Sequence, residues 1–317
     1  MELHTVVDLS VIVCTHNPDD ELITRTLDGL RRQTLAASQW ELCVIDNASD
    51  PAVLDRFSAV LPSNARCIAE SNLGLTPARL RGIRESVGTL LVFVDDDAVL
   101  SPDYLEIALQ ISRERPFIGA FGGSIDLEFS VPPEDWTRSL WPRLAERQVT
   151  RQVWSNFDWS SRTTPWGVGM CLHRCVALRY VEIATSDPIR LKLDRSGMSL
   201  VSGGDEDMAR TSHGLGLATG LFPELRLVHL IPPRRLELAY LLRLVEGQSY
   251  SGVVLSYLYR DSDLLHETAG LRALLGKLRR RLTMPRLERL LFEARLNGQQ
   301  KAVRDLKSMT QFEDHPV

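Results

Sequence analysis

Three carboxylates in a row, Asp95, Asp96 and Asp97, follow the apolar run Leu90 to Val94. Like charges this close repel one another and raise each other's pKa. A divalent cation relieves the repulsion, and hard oxygen ligands suit Mg²⁺ or Mn²⁺. Such a cation keeps coordination positions open for the oxygens of a diphosphate. A second acidic cluster, Gly203-Gly204-Asp205-Glu206-Asp207, follows a flexible glycine pair. One of its acids can act as a general base while the others sit at a helix N-terminus. The segment Asn72-Leu-Gly74-Leu-Thr-Pro-Ala78-Arg79 reads as a helix opening, with Thr76 as N-cap and Pro77 in the first turn. The free N–H groups of a helix start suit a phosphate, Gly74 permits close backbone approach, and Arg79 or Arg81 can add a charge-assisted contact. His229, inside the apolar run Leu227 to Ile231, is either a satisfied core histidine or a further ligand to metal or diphosphate. Each cluster also has a plainer reading, as a solvated turn or a capped helix.

What must hold these groups is an alternation of elements. Short β-branched runs at 10–14, 42–45, 66–69 and 90–94 read as buried strands. Helical spacing covers 19–33, 51–60 and 76–87. Strands that are apolar on both faces, separated by helices, imply a parallel sheet with helices on both sides. In such sheets ligands bind at the carboxyl ends of the strands. There the sequence places Thr15-His16-Asn17, Asp46-Asn47, Glu70-Ser71-Asn72 and the aspartate triplet, so four strands deliver polar groups to one rim. Residues 166–172 read as a further strand and 205–213 as a helix. Beyond Pro232-Pro233 the pattern is helical, with Gly247 and Pro285 limiting the length of any one helix.

The bulk properties narrow the class. The chain has 317 residues, 44% hydrophobic and 25% charged, enough for a full core. Its formal charge of −4 excludes a global basic field for nucleic acid. Five cysteines, three of them in apolar runs, read as free thiols, and Cys171-Leu-His173-Arg-Cys175 lacks a second ligand pair for zinc. No signal peptide or spanning segment is seen, so the expected location is cytoplasmic.

Together these motifs resemble the family 2 glycosyltransferases of the GT-A fold. The matching residues are Val11 to Asn17, Val44 to Ser49, Asn72-Leu-Gly74 with Ala78-Arg79 and Gly82-Ile83, Phe93 to Asp97, and Gly203 to Asp207. The resemblance covers roughly residues 8 to 230. It implies a Rossmann-like, mostly parallel sheet with helices on both faces, plus a C-terminal helical extension. It further implies inverting transfer of a sugar from a nucleotide-diphosphate donor, a UDP-sugar by family habit, to a glycan or lipid-linked acceptor. Carried onto this sequence, Thr15, Asn17 and Asp46 hold the nucleoside and Arg79 contacts base or phosphates. Asp95 and Asp96 touch the ribose, and Asp97 with Asp95 binds Mn²⁺ or Mg²⁺. Asp205 is the first choice of base and Asp207 the second.

Residues 1–130 then form the donor half, 131–232 the acceptor half with the base, and 233–317 the helical extension. Five of six tryptophans fall in 130–166, a segment suited to stacking on an acceptor sugar or to plain packing. The stretch 272–289 carries seven basic residues and one acid among leucines. It suggests a peripheral contact with the inner face of an anionic membrane, or simply a solvated arginine face. Two other classes stay open. Asp95-x-Asp97 fits the nucleophile motif of haloacid dehalogenase-type phosphatases, with Lys192 as the required lysine. A sugar-binding protein of the same fold without turnover is the other.

Overall fold

The structure, a computed structural model, describes residues 7–157, 162–197, 199–259 and 284–310. Side-chain alternation builds its leading half. Strand β1 (Leu9–Thr15) sends Val11 and Val13 to one face and Ile12 to the other, the period of two expected of a pleated strand. The first face packs against α1 (Asp20–Arg31), α2 (Val53–Phe57) and α4 (Tyr104–Glu114). The second packs against α3 (Leu75–Glu85), α5 (Arg174–Thr185) and α6 (Gly204–Gly214). β2 (Trp40–Asp46), β3 (Ala65–Ala69) and β4 (Leu90–Asp95) repeat the pattern. All four strands are parallel, in the order β3-β2-β1-β4.

The second half is mixed. β5 (Ala98–Leu100), β6 (Ile118–Phe129), β7 (Val153–Ser155), β8 (Cys171–His173) and β9 (Ala218–Ile231) complete one nine-stranded sheet. β8 runs antiparallel between β4 and β6, joining the halves, while β6 and β9 pair in parallel. The α/β architecture with helices on both faces is as the resemblance implied. A C-terminal helical extension is also present: α7 (Leu238–Leu258) packs on α8 (Arg286–Thr310).

Several boundaries differ from expectation. α2 ends at Phe57 and continues only as a 3₁₀ turn to Val60. The strand expected over 166–172 is confined to Cys171–His173, and residues 166–170 instead turn along the cavity described below. Gly247 does not shorten its helix. It lies within the 21 residues of α7, where a Cβ would stand 2.3 Å from the Leu200 carbonyl oxygen. The glycine is there for close approach, and the surrounding helix carries its low propensity. Most of the basic stretch 272–289 lies outside the described residues. No described helix is long and apolar enough to cross a membrane.

Candidate active site

β1, β2 and β4 run in register, with Val13 beside both Val44 and Val94, so Thr15 stands level with Asp46 and Cys14 with Asp95, and the three tips end at one rim. A cavity of about 760 Å³ opens there. Thr15, Arg79, Asp95, Asp96, Asp97 and Asp205 all line it. Gly74 and His229 line it too. The two acidic clusters, a hundred residues apart in sequence, therefore face one space.

The triplet is differentiated by its surroundings. Asp96 accepts a hydrogen bond from the Thr15 hydroxyl. Enclosure and the adjoining Asp97 and Asp95 nevertheless push its carboxyl up. Asp97 goes the other way. Burial alone would raise it, but the Arg235 guanidinium outweighs burial and holds it well below the usual carboxylate range. His229 Nδ1 lies 2.8 Å from the Leu144 carbonyl oxygen, which can only accept, so Nδ1 carries the proton. Its Nε2 then accepts from Arg235 Nη1 at 2.9 Å, and lies 3.3 Å from Asp97 Oδ1. Asp97 Oδ1 is buried without a hydrogen-bond partner. A carboxylate oxygen left unpaired beside an imidazole of fixed tautomer fits Mn²⁺ or Mg²⁺, and the Leu144 carbonyl is the second-shell partner such a histidine needs. Among the described residues no three His, Cys, Asp or Glu form a ready cage.

Asp205 stands in the first turn of α6. Its Oδ2 accepts from the Gly167 N–H at 2.7 Å and its Oδ1 from the Glu206 N–H at 2.9 Å. Two backbone donors thus fix a carboxylate that lines the cavity. Asp207, the second choice of base, is corrected. Two residues along a helix it projects to another side, is fully buried, and is bonded to Arg190 and to the Tyr259 hydroxyl. It ties α6 to the end of α7.

Other expected residues are placed away from the cavity. Asn17 is exposed, with φ 47°; its N–H donates to Ser49 Oγ and its Oδ1 accepts from the Asp50 N–H. Asp46 spends both oxygens on the backbone of the next turn, accepting from the Ser49 and Val53 N–H groups. Asn72 is exposed; its carbonyl accepts from the Asn47 side-chain amide and its N–H donates to Glu70 Oε1. The helix-start cradle is also corrected. Gly74 N–H is taken by Asn47 Oδ1, Leu75 N–H by the Arg195 carbonyl, and Pro77 has none. Thr76 is not the N-cap; its hydroxyl donates to Asp194. Arg79 is fully enclosed and paired with Asp194 at 2.8 Å. Lys192 is exposed and away from the cavity lining, so a dehalogenase-type pairing with Asp95 is not assembled.

Sequence reasoning missed Asp194. Its buried carboxylate holds Arg79 and Thr76, and a Cβ on Gly204 would stand 2.2 Å from its Oδ2. It carries no motif of its own; only a chain alignment of Arg79 with some buried acid would have exposed it. Arg195 and Arg235 were missed for the same reason. So was the wall from α7, where Tyr240, Leu244, Gln248 and Ser251 face the cavity. Of the tryptophans, Trp166 lines the cavity, with the Arg147 guanidinium 3.6 Å from its ring centroid. Trp136 and Trp141 instead pack around Leu140, Leu144 and Leu244. Trp154 stands on the surface edge-on to Phe117, and Trp159 lies outside the described residues.

The chain is similar to several known proteins. An uncharacterized glycosyltransferase of Haemophilus influenzae is 33% identical over 110 residues, 35% of this chain and 36% of its own length. A glucosyl-dolichyl phosphate glucuronosyltransferase of Haloferax volcanii is 27% identical over 119 residues, 37% of this chain and 38% of its own. The chain thus spans only about a third of the length of these relatives. Among solved structures, S. aureus TarS aligns with 89% of this chain and 45% of its own at TM-score 0.49 and 15% identity. The model of glycosyl transferase family 2 matches residues 10–171, just over half of the chain, and on that match the chain belongs to glycosyl transferase family 2.

Proposed function

We propose that the chain moves a hexosyl or N-acetylhexosaminyl unit, with inversion, from a nucleotide-diphosphate sugar to a glycan or lipid-linked acceptor. The donor is taken as a UDP-sugar. One observation carries the reading: the strand-tip aspartates and the backbone-held Asp205 face each other across a single cavity. Inverting transfer needs a base on the acceptor side and positive charge on the leaving-group side, and these two clusters can divide that work.

Asp205 removes the proton from the acceptor hydroxyl as that oxygen attacks the anomeric carbon. The N–H groups of Gly167 and Glu206 hold its carboxylate in one orientation, so little reorganisation is needed. Asp97 and His229, with Asp95, hold the Mn²⁺ or Mg²⁺, which supplies charge to the departing diphosphate. Asp96 and Thr15, bonded to each other at the end of β1, face the nucleoside. Trp166 offers an indole face to a sugar ring. The α7 wall, half apolar and half amide or hydroxyl, receives the acceptor. The Haloferax relative is named for a lipid-linked sugar, which supports the lipid-linked arm. Placement at the inner face of a membrane belongs to the same proposal.

Thermal unfolding of the full chain, scanned with a panel of nucleotide sugars with and without Mn²⁺, tests the reading. A ligand present at a hundredfold its Kd stabilises by about 2.7 kcal/mol. A Mn²⁺-dependent rise with one donor class, followed by sugar transfer from it, is expected. No shift with any donor, or nucleotide-independent phosphatase activity, contradicts it.

A further inference from the structure

Arg235 stands where the cation of the proposed reading belongs. Its Nη2 pairs with Asp97 Oδ2, and its Nη1 lies 2.9 Å from His229 Nε2. The two groups expected to hold a divalent ion therefore share a guanidinium instead. The arrangement is enclosed: Asp97 is 3% and His229 5% exposed, and Arg235 is surrounded by protein and drawn to all three aspartates of the triplet. Arg235 comes from the turn Pro233–Leu236, immediately after β9 and before α7. It is thus the first cation that the C-terminal extension presents to the strand tips.

Two positive centres cannot share this space. A divalent ion bound to Asp97 and His229 Nε2 would sit within contact distance of the guanidinium, and in an enclosed site the repulsion is only weakly screened. The lone pair of Nε2 has room for one partner. We propose that Arg235 is a built-in counter-ion which a divalent cation must displace, so that the cation binds weakly alone and tightly only together with a diphosphate. The inference rests on the metal-assisted reading above. The displaced guanidinium needs a new anion inside the cavity, and a diphosphate arriving with the cation brings one. Binding of the two is thereby coupled through one side chain. Because Arg235 opens the segment leading to α7, the exchange also ties occupancy of the donor side to the wall on the acceptor side.

The test measures Mn²⁺ binding to the full chain by isothermal titration, without sugar donor, alone and with UDP. In the parent, UDP is expected to tighten Mn²⁺ binding at least tenfold. Arg235→Gln should bind Mn²⁺ alone at least tenfold more tightly than the parent, with UDP adding less than threefold. Arg235→Lys, which keeps the charge, should stay within threefold of the parent. Arg235→Met serves if the glutamine variant does not fold. Mn²⁺ affinity in Arg235→Gln equal to or below the parent's, while the parent still binds Mn²⁺ with UDP, overturns the exchange and leaves the metal reading standing. No Mn²⁺ binding in any form overturns both.

Discussion

The two halves of the sheet reach the cavity by different routes. In the leading half, three parallel strands, β1, β2 and β4, carry Thr15, Asn47 and the aspartate triplet at or just past their own tips. In the second half, His229 within β9 apart, the contributing groups come from turns and helix ends: Gly167 before β8, Asp194 before α6, Arg235 between β9 and α7. The first arrangement is local. The second exists only through contacts such as Arg79 with Asp194 and Asp97 with Arg235, more than a hundred residues apart. The leading half thus supplies the donor rim, while the trailing segments decide which of its charges are free.

The largest effect expected separates the halves by function. Asp205→Asn should lower the sugar-transfer rate by about 10²–10⁴ while leaving donor affinity within a few fold. Steady-state rates together with donor titration read this directly. Parental turnover in that variant would move the base out of the second half.

Next comes the bond that joins the halves inside the cavity wall. Asp194→Ala leaves the Arg79 guanidinium enclosed with its partner gone. Losing one member of a buried pair costs about 3–5 kcal/mol. Chemical denaturation should show that loss with an unchanged m value. A change under about 1 kcal/mol would mean that Arg79 finds another partner, and that the coupling between halves is weaker than the geometry implies.

The smallest effect concerns the seam. His173 in β8 pairs in register with Leu90, and its ring touches Ser112 and lies edge-on to Phe121. Burial pushes its pKa below the usual value of about 6.5. The unfolded chain therefore takes up a proton that the folded chain resists. This contribution is full above about pH 6.5 and is lost as the pH falls through that value toward the folded one. Denaturation midpoints should drop between pH 7 and pH 5.5, and His173→Gln should flatten that part of the slope. An identical slope in the variant would show that other groups set it.

Legibility followed the same division. Strand and helix alternation over 10–94, the strand tips and the α6 start could all be read from short-range pattern, because period and turn chemistry are local properties. Thr15, Asp95, Asp96, Asp97, Asp205 and His229 do face the cavity. Asp46 stands at the same rim, yet it accepts from the backbone of its own turn, while Asn17 Oδ1 accepts from the Asp50 N–H of the neighbouring loop and Asn72 is exposed. Nothing in a motif tells whether a polar side chain turns outward to a ligand or inward to the loop that carries it. Asp207 shows the same limit on a helix, where a shift of two positions turns a rim acid into a buried tie. The tryptophan-rich stretch divided between packing and cavity according to where the second half folds, which composition does not encode.

The measurement closest to the central claim is a donor titration with and without Mn²⁺, comparing the parent with Asp97→Asn. If the strand tips form a cation-assisted donor site, the parent binds a nucleotide sugar more tightly with Mn²⁺ and the variant shows no such gain. Equal Mn²⁺-dependent tightening in both proteins would place the cation away from Asp97 and contradict the account.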